Sequence, residues 1–171
     1  LSESDQAVRL AVVEALSAWP TDAPLPLLQS VMERSKGAPE GSAALQGCMR
    51  LIGLDENRTA QETVKMYEQA FALAESVMDK KTCVAALGKT GEPAALPLLY
   101  EALTSKDTEV ARAAARALGN WPDAVPMTRL EMLAKDGPDA LKAEALRGYF
   151  RLIGINHEIC LLYTSDAADE E

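Results

Sequence analysis

The hydrophobic residues of this sequence recur at intervals of three and four over most of its length, most regularly between Cys83 and Trp121. Leucines follow this spacing in residues 93–103, and Val, Ala and Leu follow it again in residues 108–120. Such spacing predicts amphipathic helices. Gly and Pro interrupt the apolar pattern at its ends, as helix boundaries require. The segment therefore predicts a unit of helix, tight turn, helix and tight turn.

The chain also repeats itself. Residues 7–31 align without a gap onto residues 109–133, at an offset of 102, and residues 45–54 align onto 146–155 at an offset of 101. The identical pairs in the first alignment are Val8/Val110, Ala11/Ala113, Ala15/Ala117, Leu16/Leu118, Trp19/Trp121, Pro20/Pro122, Pro24/Pro126 and Leu28/Leu130. These offsets are multiples of roughly 34 residues, the length of a two-helix repeat. About five such units fill the chain.

Three segments carry a family resemblance: Ala86-Leu87-Gly88, residues 94–99 (AALPLL) and residues 107–118 (DTEVARAAARAL). Together they resemble the HEAT-repeat family, in particular its short bacterial subtype, which also occurs in phycobilisome lyase-like proteins. The resemblance implies a right-handed α-solenoid that binds proteins, and it implies no reaction. We therefore expect an all-α superhelix of about five two-helix HEAT-like repeats.

The repeat pattern divides the chain into two parts. We expect a HEAT-like repeat domain at residues 1–155, incomplete at its N-terminus because the sequence starts within a helical pattern and without Met. We expect residues 156–171 to form a non-repeat tail, disordered or artefactual, because their apolar pattern fades and their sequence resembles translated adaptor DNA. This reading makes the chain a piece of a longer protein.

The duplication also makes predictions about burial. Val8, Val12 and Leu16 lie on one side of the first helix, so we expect that side to be buried, as we expect for Leu118 in the copy. Trp19 and Trp121 end equivalent helices. A repeated packing role explains both tryptophans more simply than two separate ligand sites.

Net charge and hydropathy limit which classes of partner the chain is expected to bind. The chain has 17 basic and 26 acidic residues and a net charge of −9. Nucleic-acid binding requires a local basic stripe, and none is visible, so we expect no nucleic-acid partner. We expect no membrane partner either, because no apolar run approaches 18 residues. A partner protein with a basic or mixed surface suits this charge. Compartment and oligomeric state stay open.

The residue types needed for catalysis are scarce. His157 is the single histidine, and Cys48, Cys83 and Cys160 are far apart and lack metal-ligand spacing. We predict no catalytic residue, no metal and no cofactor, and we expect that the chain is not an enzyme. The alternative is a lyase-like or DNA-repair-like enzyme on a HEAT-like scaffold, with catalytic residues that this sequence does not identify.

What remains is a binding surface. The second helix of each unit is expected to line one face of the repeat array, where side chains outside the core can meet a partner. Helical phase places six candidates there: Gln29, Glu33, Tyr100, Glu101, Arg129 and Glu131. The sequence therefore predicts a protein-interaction or scaffolding module, an accessory region of a larger bacterial protein.

Overall fold

The computed structural model describes residues 5–55 and 57–166, with side chains as far as Ile155. Within these residues every regular element is helical. The helices are α1 (Gln6–Ser17), α2 (Leu25–Arg34), α3 (Pro39–Ile52), α4 (Ala60–Leu73), α5 (Val77–Thr90), a one-turn 3₁₀ helix (Pro93–Ala95), α6 (Leu96–Ala102), α7 (Thr108–Gly119), α8 (Met127–Asp136) and α9 (Asp139–Asp166). The predicted all-α fold class is confirmed for these residues.

Local sequence explains where several helices begin. The side chains of Asp5, Thr59, Ser76 and Asp107 accept hydrogen bonds from backbone N–H groups in the first turns of α1, α4, α5 and α7. Those N–H groups have no partner within the helix, so a cap stabilises each start. At α4, Glu62 completes a capping box with Thr59.

The chain divides into two compact units, and the first comprises Leu1–Leu98. In it α1 packs on α3 and α3 packs on α5, while α2 packs on both α3 and α4. First helices thus contact first helices, and second helices contact second helices, as stacked helix pairs do. Leu28, Leu51 and Leu87 lie in the core of this unit without solvent exposure.

The second unit comprises Leu99–Glu171. Here α7 and α8 both pack against α9, and Leu118, Leu130 and Leu152 are fully buried. Helix α9 continues past Ile155, where the predicted repeat domain ends, to Asp166. Residues 167–171 of the predicted tail lie outside the described residues. That residues 156–171 form a non-repeat tail stays a prediction.

The prediction that Val8 and Val12 lie on a buried side of α1 is wrong. Val8 is 47% exposed, Val12 is 37% exposed and Trp19 is 49% exposed. Their copies Val110, Ala114 and Trp121 are at most 1% exposed. Periodicity identifies the apolar side of a helix, but burial also needs a second element to cover it. The two tryptophans therefore occupy equivalent sequence positions in different environments, and the prediction of a shared packing role is wrong.

The duplicated segments share a long-range cap that helical periodicity does not reveal. Arg50 on α3 and Arg151 on α9 occupy equivalent positions and donate to carbonyl oxygens at the C-terminal ends of α1 and α7. The four bonds run from Arg50 Nη1 to Ser17 O (2.9 Å) and Trp19 O (2.9 Å), and from Arg151 Nη1 to Gly119 O (3.0 Å) and Trp121 O (3.3 Å). A cation at this position also complements the helix dipole.

Candidate partner-binding site

The six predicted partner-face residues all lie on second helices, in pairs. Gln29 and Glu33 are on α2, Tyr100 and Glu101 are on α6, and Arg129 and Glu131 are on α8. The structure brings together two of these residues in each unit. In the first unit, Gln29 and Glu33 line one groove. In the second unit, Arg129 lies over the ring of Tyr100. Glu101 is exposed, and Glu131 pairs with Lys135 on its own helix.

The groove of the first unit lies between α2 and α4, over α3, and has a volume of about 320 Å³. Met32, Ile52, Met66 and Leu73 form its apolar lining. The groove runs between second helices because α2 and α4 pack on each other at only a few positions. Unbranched methionine side chains can adapt to an incoming apolar group.

Polar side chains surround this apolar lining. Gln29 and Glu33 stand on the α2 side and Gln69 stands on the α4 side. Glu33 and Gln69 are exposed, and Gln29 is half-buried. An apolar pocket with a few convergent polar groups is the usual form of a binding site, because the apolar part contributes affinity and the polar part fixes orientation.

The relative positions of α2 and α4 are held by one arginine in the loop before α4. Arg58 donates from Nη2 to Asp22 Oδ2 at 2.6 Å and from Nη1 to the carbonyl oxygen of Ile52 at 2.7 Å. Asp22 precedes α2, so the arginine ties the entries of both groove helices to the end of α3. Thr59 then caps α4, and its hydrogen bond to Glu62 lowers the pKa of that carboxyl group.

Cys48 is the thiol that lines this groove. The side chain is buried, and burial raises the pKa of the Cys48 thiol to about 12. Because the thiolate is the nucleophilic form, a thiol with this pKa is inert at neutral pH. Burial raises the pKa of Cys83 to about 12 as well. The groove therefore offers contacts for binding and no activated cysteine.

In the second unit, the guanidinium carbon of Arg129 lies 5.7 Å from the ring centroid of Tyr100. This is cation–π geometry, worth about 0.5–1 kcal/mol at an exposed position. Desolvation by burial raises the pKa of the Tyr100 hydroxyl. Arg129 also lines a cavity of about 360 Å³ with Leu103, Met132 and Pro138. Each unit thus has an apolar depression bordered by a second helix.

Helical phase alone missed the α4 side of the groove. Met66 and Gln69 line it, yet α4 contributes none of the six predicted residues. The signal was available, because α4 is also the second helix of its pair and its apolar spacing is regular.

The described part of the chain contains no group of three or more His, Cys, Asp or Glu residues that could hold a metal ion. Over the same residues, no helix combines the length and the apolar character that crossing a membrane requires. The side chain of His157 lies outside the described residues.

Residues 68–149 match the family model described as HEAT repeats. The match covers the central repeat segment and part of the second copy of the duplication, so it confirms the resemblance identified from the sequence. The bacterial subtype stays a prediction. No curated protein and no solved structure gave a significant match to this sequence.

Proposed function

We propose that this chain binds a partner protein through the groove between α2 and α4. The match of residues 68–149 to HEAT repeats supports this, because HEAT repeats generally serve as protein-interaction or scaffolding modules. The partner inserts an apolar side chain between Met32 and Met66. The same proposal makes the chain an accessory, non-catalytic region of a larger bacterial protein. The observation that supports partner binding is the geometry of the groove.

The shape and lining of the groove support an apolar anchor. Its volume of about 320 Å³ lies at the lower end of the range typical of small-molecule sites, which is enough to bury a large apolar side chain. Met32 and Ile52 are buried and fix the floor, whereas Met66 is half-buried and free to adjust. Affinity in such interfaces comes mainly from a few anchors in desolvated pockets.

Charge supports a basic partner segment. Glu33 is exposed at the rim, and the chain as a whole has a net charge of −9. Complementary potentials accelerate encounter and disfavour acidic competitors. The partner segment therefore carries Lys or Arg beside its apolar anchor. By the same argument, the long-range field of this chain opposes a nucleic-acid partner.

The test uses peptides displayed in a random library and selected on the intact chain. Gln69→Trp fills the groove from an exposed position on α4, and Gln61→Trp makes the same change at an exposed position of α4 outside the groove. We expect selected peptides to carry an apolar residue flanked by Lys or Arg. Their affinity should fall at least about tenfold, or 1.4 kcal/mol, with Gln69→Trp alone.

Two results would contradict the proposal. One is that selection enriches no peptide with a basic-flanked apolar residue. The other is that Gln69→Trp and Gln61→Trp bind the selected peptides as the unchanged chain does, which would place the binding surface elsewhere. Circular dichroism of both variants checks that each keeps its helices.

A further inference from the structure

A second, polar cleft lies in the unit Leu99–Glu171, between α7 and α9, and has a volume of about 120 Å³. It is distinct from the apolar groove, which belongs to the other unit. Its polar lining comprises Arg116, Asn120, Glu144, Arg147 and Arg151. Three arginines and one carboxylate give it a local charge of about +2, in a chain whose net charge is −9.

The carboxylate holds two of the arginines in place. Arg116 Nη2 lies 3.0 Å from Glu144 Oε1, and Arg147 Nη1 lies 3.0 Å from Glu144 Oε2. The side chain of Glu144 is only 15% exposed, whereas those of Arg116 and Arg147 are 61% and 74% exposed. Hydrogen bonding to Arg116 lowers the pKa of Glu144, so the carboxylate stays charged at neutral pH.

The arginines keep donors for a ligand. A guanidinium has five N–H groups, and each bond to Glu144 uses one of them. Arg151 uses Nη1 for the carbonyls of Gly119 and Trp121. Glu144 also contributes negative charge to the cleft wall, which opposes an anion, but three guanidinium groups outweigh one carboxylate.

The two copies of the duplicated segment show which residues of the cleft the helix packing requires. In the first copy, Gly47 and Arg50 keep the helix contact and the helix cap that Gly148 and Arg151 provide in the second. The positions equivalent to Arg116, Glu144 and Arg147 are Glu14, Ala43 and Gln46. Because the equivalent helices α1 and α3 pack without this set of charges, Arg116, Glu144 and Arg147 are not required to pack α7 on α9.

We propose that this cleft binds a phosphate monoester dianion, held by Arg116, Arg147 and Arg151. Two negative charges balance the local charge of about +2, and paired guanidinium forks match the oxygens of a phosphoryl group. The cleft accommodates a single phosphoryl group. Its source is either free phosphate or a phosphorylated side chain of a partner protein.

The test measures binding of inorganic phosphate to the whole chain by calorimetry and by amide NMR shifts, at an ionic strength matched with chloride. We expect saturable binding with shifts at α7 and α9. The double variant Arg116→Gln/Arg147→Gln should weaken binding at least tenfold. Arg112→Gln, another arginine of α7 that pairs with Glu109 outside the cleft, should leave it unchanged.

A phosphoserine peptide and its unphosphorylated form distinguish the two sources. Tighter binding by the phosphopeptide than by free phosphate assigns the cleft to a modified partner, and equal binding assigns it to free phosphate. Absence of saturable binding, or equal binding by all variants, overturns the proposal. Displacement of phosphate by duplex DNA also overturns it, because the cleft would then be a nucleic-acid contact. If the double variant does not fold, Arg147→Gln alone is used.

Discussion

Gly119 and Gly148 meet backbone to backbone where α7 crosses α9: a Cβ atom on Gly119 would lie 2.7 Å from the Cα atom of Gly148. A Cβ atom on Gly148 would lie 2.6 Å from the Cα atom of Gly119 and 3.1 Å from a methyl carbon of Leu130. Only hydrogen atoms fit between the two backbones. Glycine at both positions therefore sets the distance between these helices.

Gly148→Ala should lower the free energy of unfolding by about 1–3 kcal/mol, because the added methyl group forces the helices apart. Gly154→Ala, in the same helix, should raise the free energy of unfolding by up to about 1 kcal/mol. A Cβ atom added there meets no atom of another part of the chain within 4 Å, and alanine favours helix. Urea denaturation of both variants measures the difference. If Gly148→Ala is as stable as Gly154→Ala, the close approach is wrong.

Arg151→Ala should destabilise the chain by about 1–2 kcal/mol, because the carbonyls of Gly119 and Trp121 lose a charged donor. Arg50→Ala should have a similar effect in the first unit, because the bonds there are equivalent. Arg34→Ala, at an exposed position of α2, serves as the control and should stay within about 0.5 kcal/mol. Equal stability of all three variants would show that the arginine caps contribute nothing.

Leu118→Ala should cost about 2–5 kcal/mol, because Leu118 is fully buried and the change leaves a cavity. Its sequence copy Leu16 is only partly buried, so Leu16→Ala should cost about 1 kcal/mol. Thermal and urea denaturation of the two variants make the comparison. Equal losses would mean that α1 is covered as fully as α7.

Cys48 and Cys83 should not react with a disulfide reagent such as Ellman's reagent at pH 8 in the folded chain. Both are buried, and burial raises the pKa of each thiol to about 12, so the thiolate is scarce below that pH. The measurement uses a Cys160→Ser background, because the side chain of Cys160 lies outside the described residues. Two thiols should react once guanidinium unfolds the protein. Reaction of either thiol at the rate of free cysteine would contradict its burial.

Much of the helical fold was predictable from sequence, because its determinants are local or repeated. Asp107 directly precedes α7, and its carboxylate accepts hydrogen bonds from the N–H groups of Glu109 and Val110. The offset of 102 residues correctly identified Trp19 and Trp121 as the ends of equivalent helices. Apolar spacing and capping residues act within a few positions, so they are visible in the chain itself.

The burial of α1 could not be predicted in this way. Val8 and Val110 look alike in sequence, but exposure depends on what packs against each helix. The lining of the candidate groove also depends on packing. Helical phase placed Gln29 and Glu33 on the predicted face, whereas Met66 lines the same groove only because α2 and α4 lie side by side. The arginine cleft likewise depends on α7 and α9 meeting in space.

The unequal environments of the tryptophans give each compact unit its own optical reporter. Trp19, half exposed in the first unit, should emit at longer wavelength and be quenched by iodide. Trp121, fully buried in the second unit, should emit at shorter wavelength and resist quenching. A Trp19→Phe variant then follows the unfolding of the second unit alone, and a Trp121→Phe variant follows the first. Fluorescence can therefore determine whether the two units unfold together or one after the other.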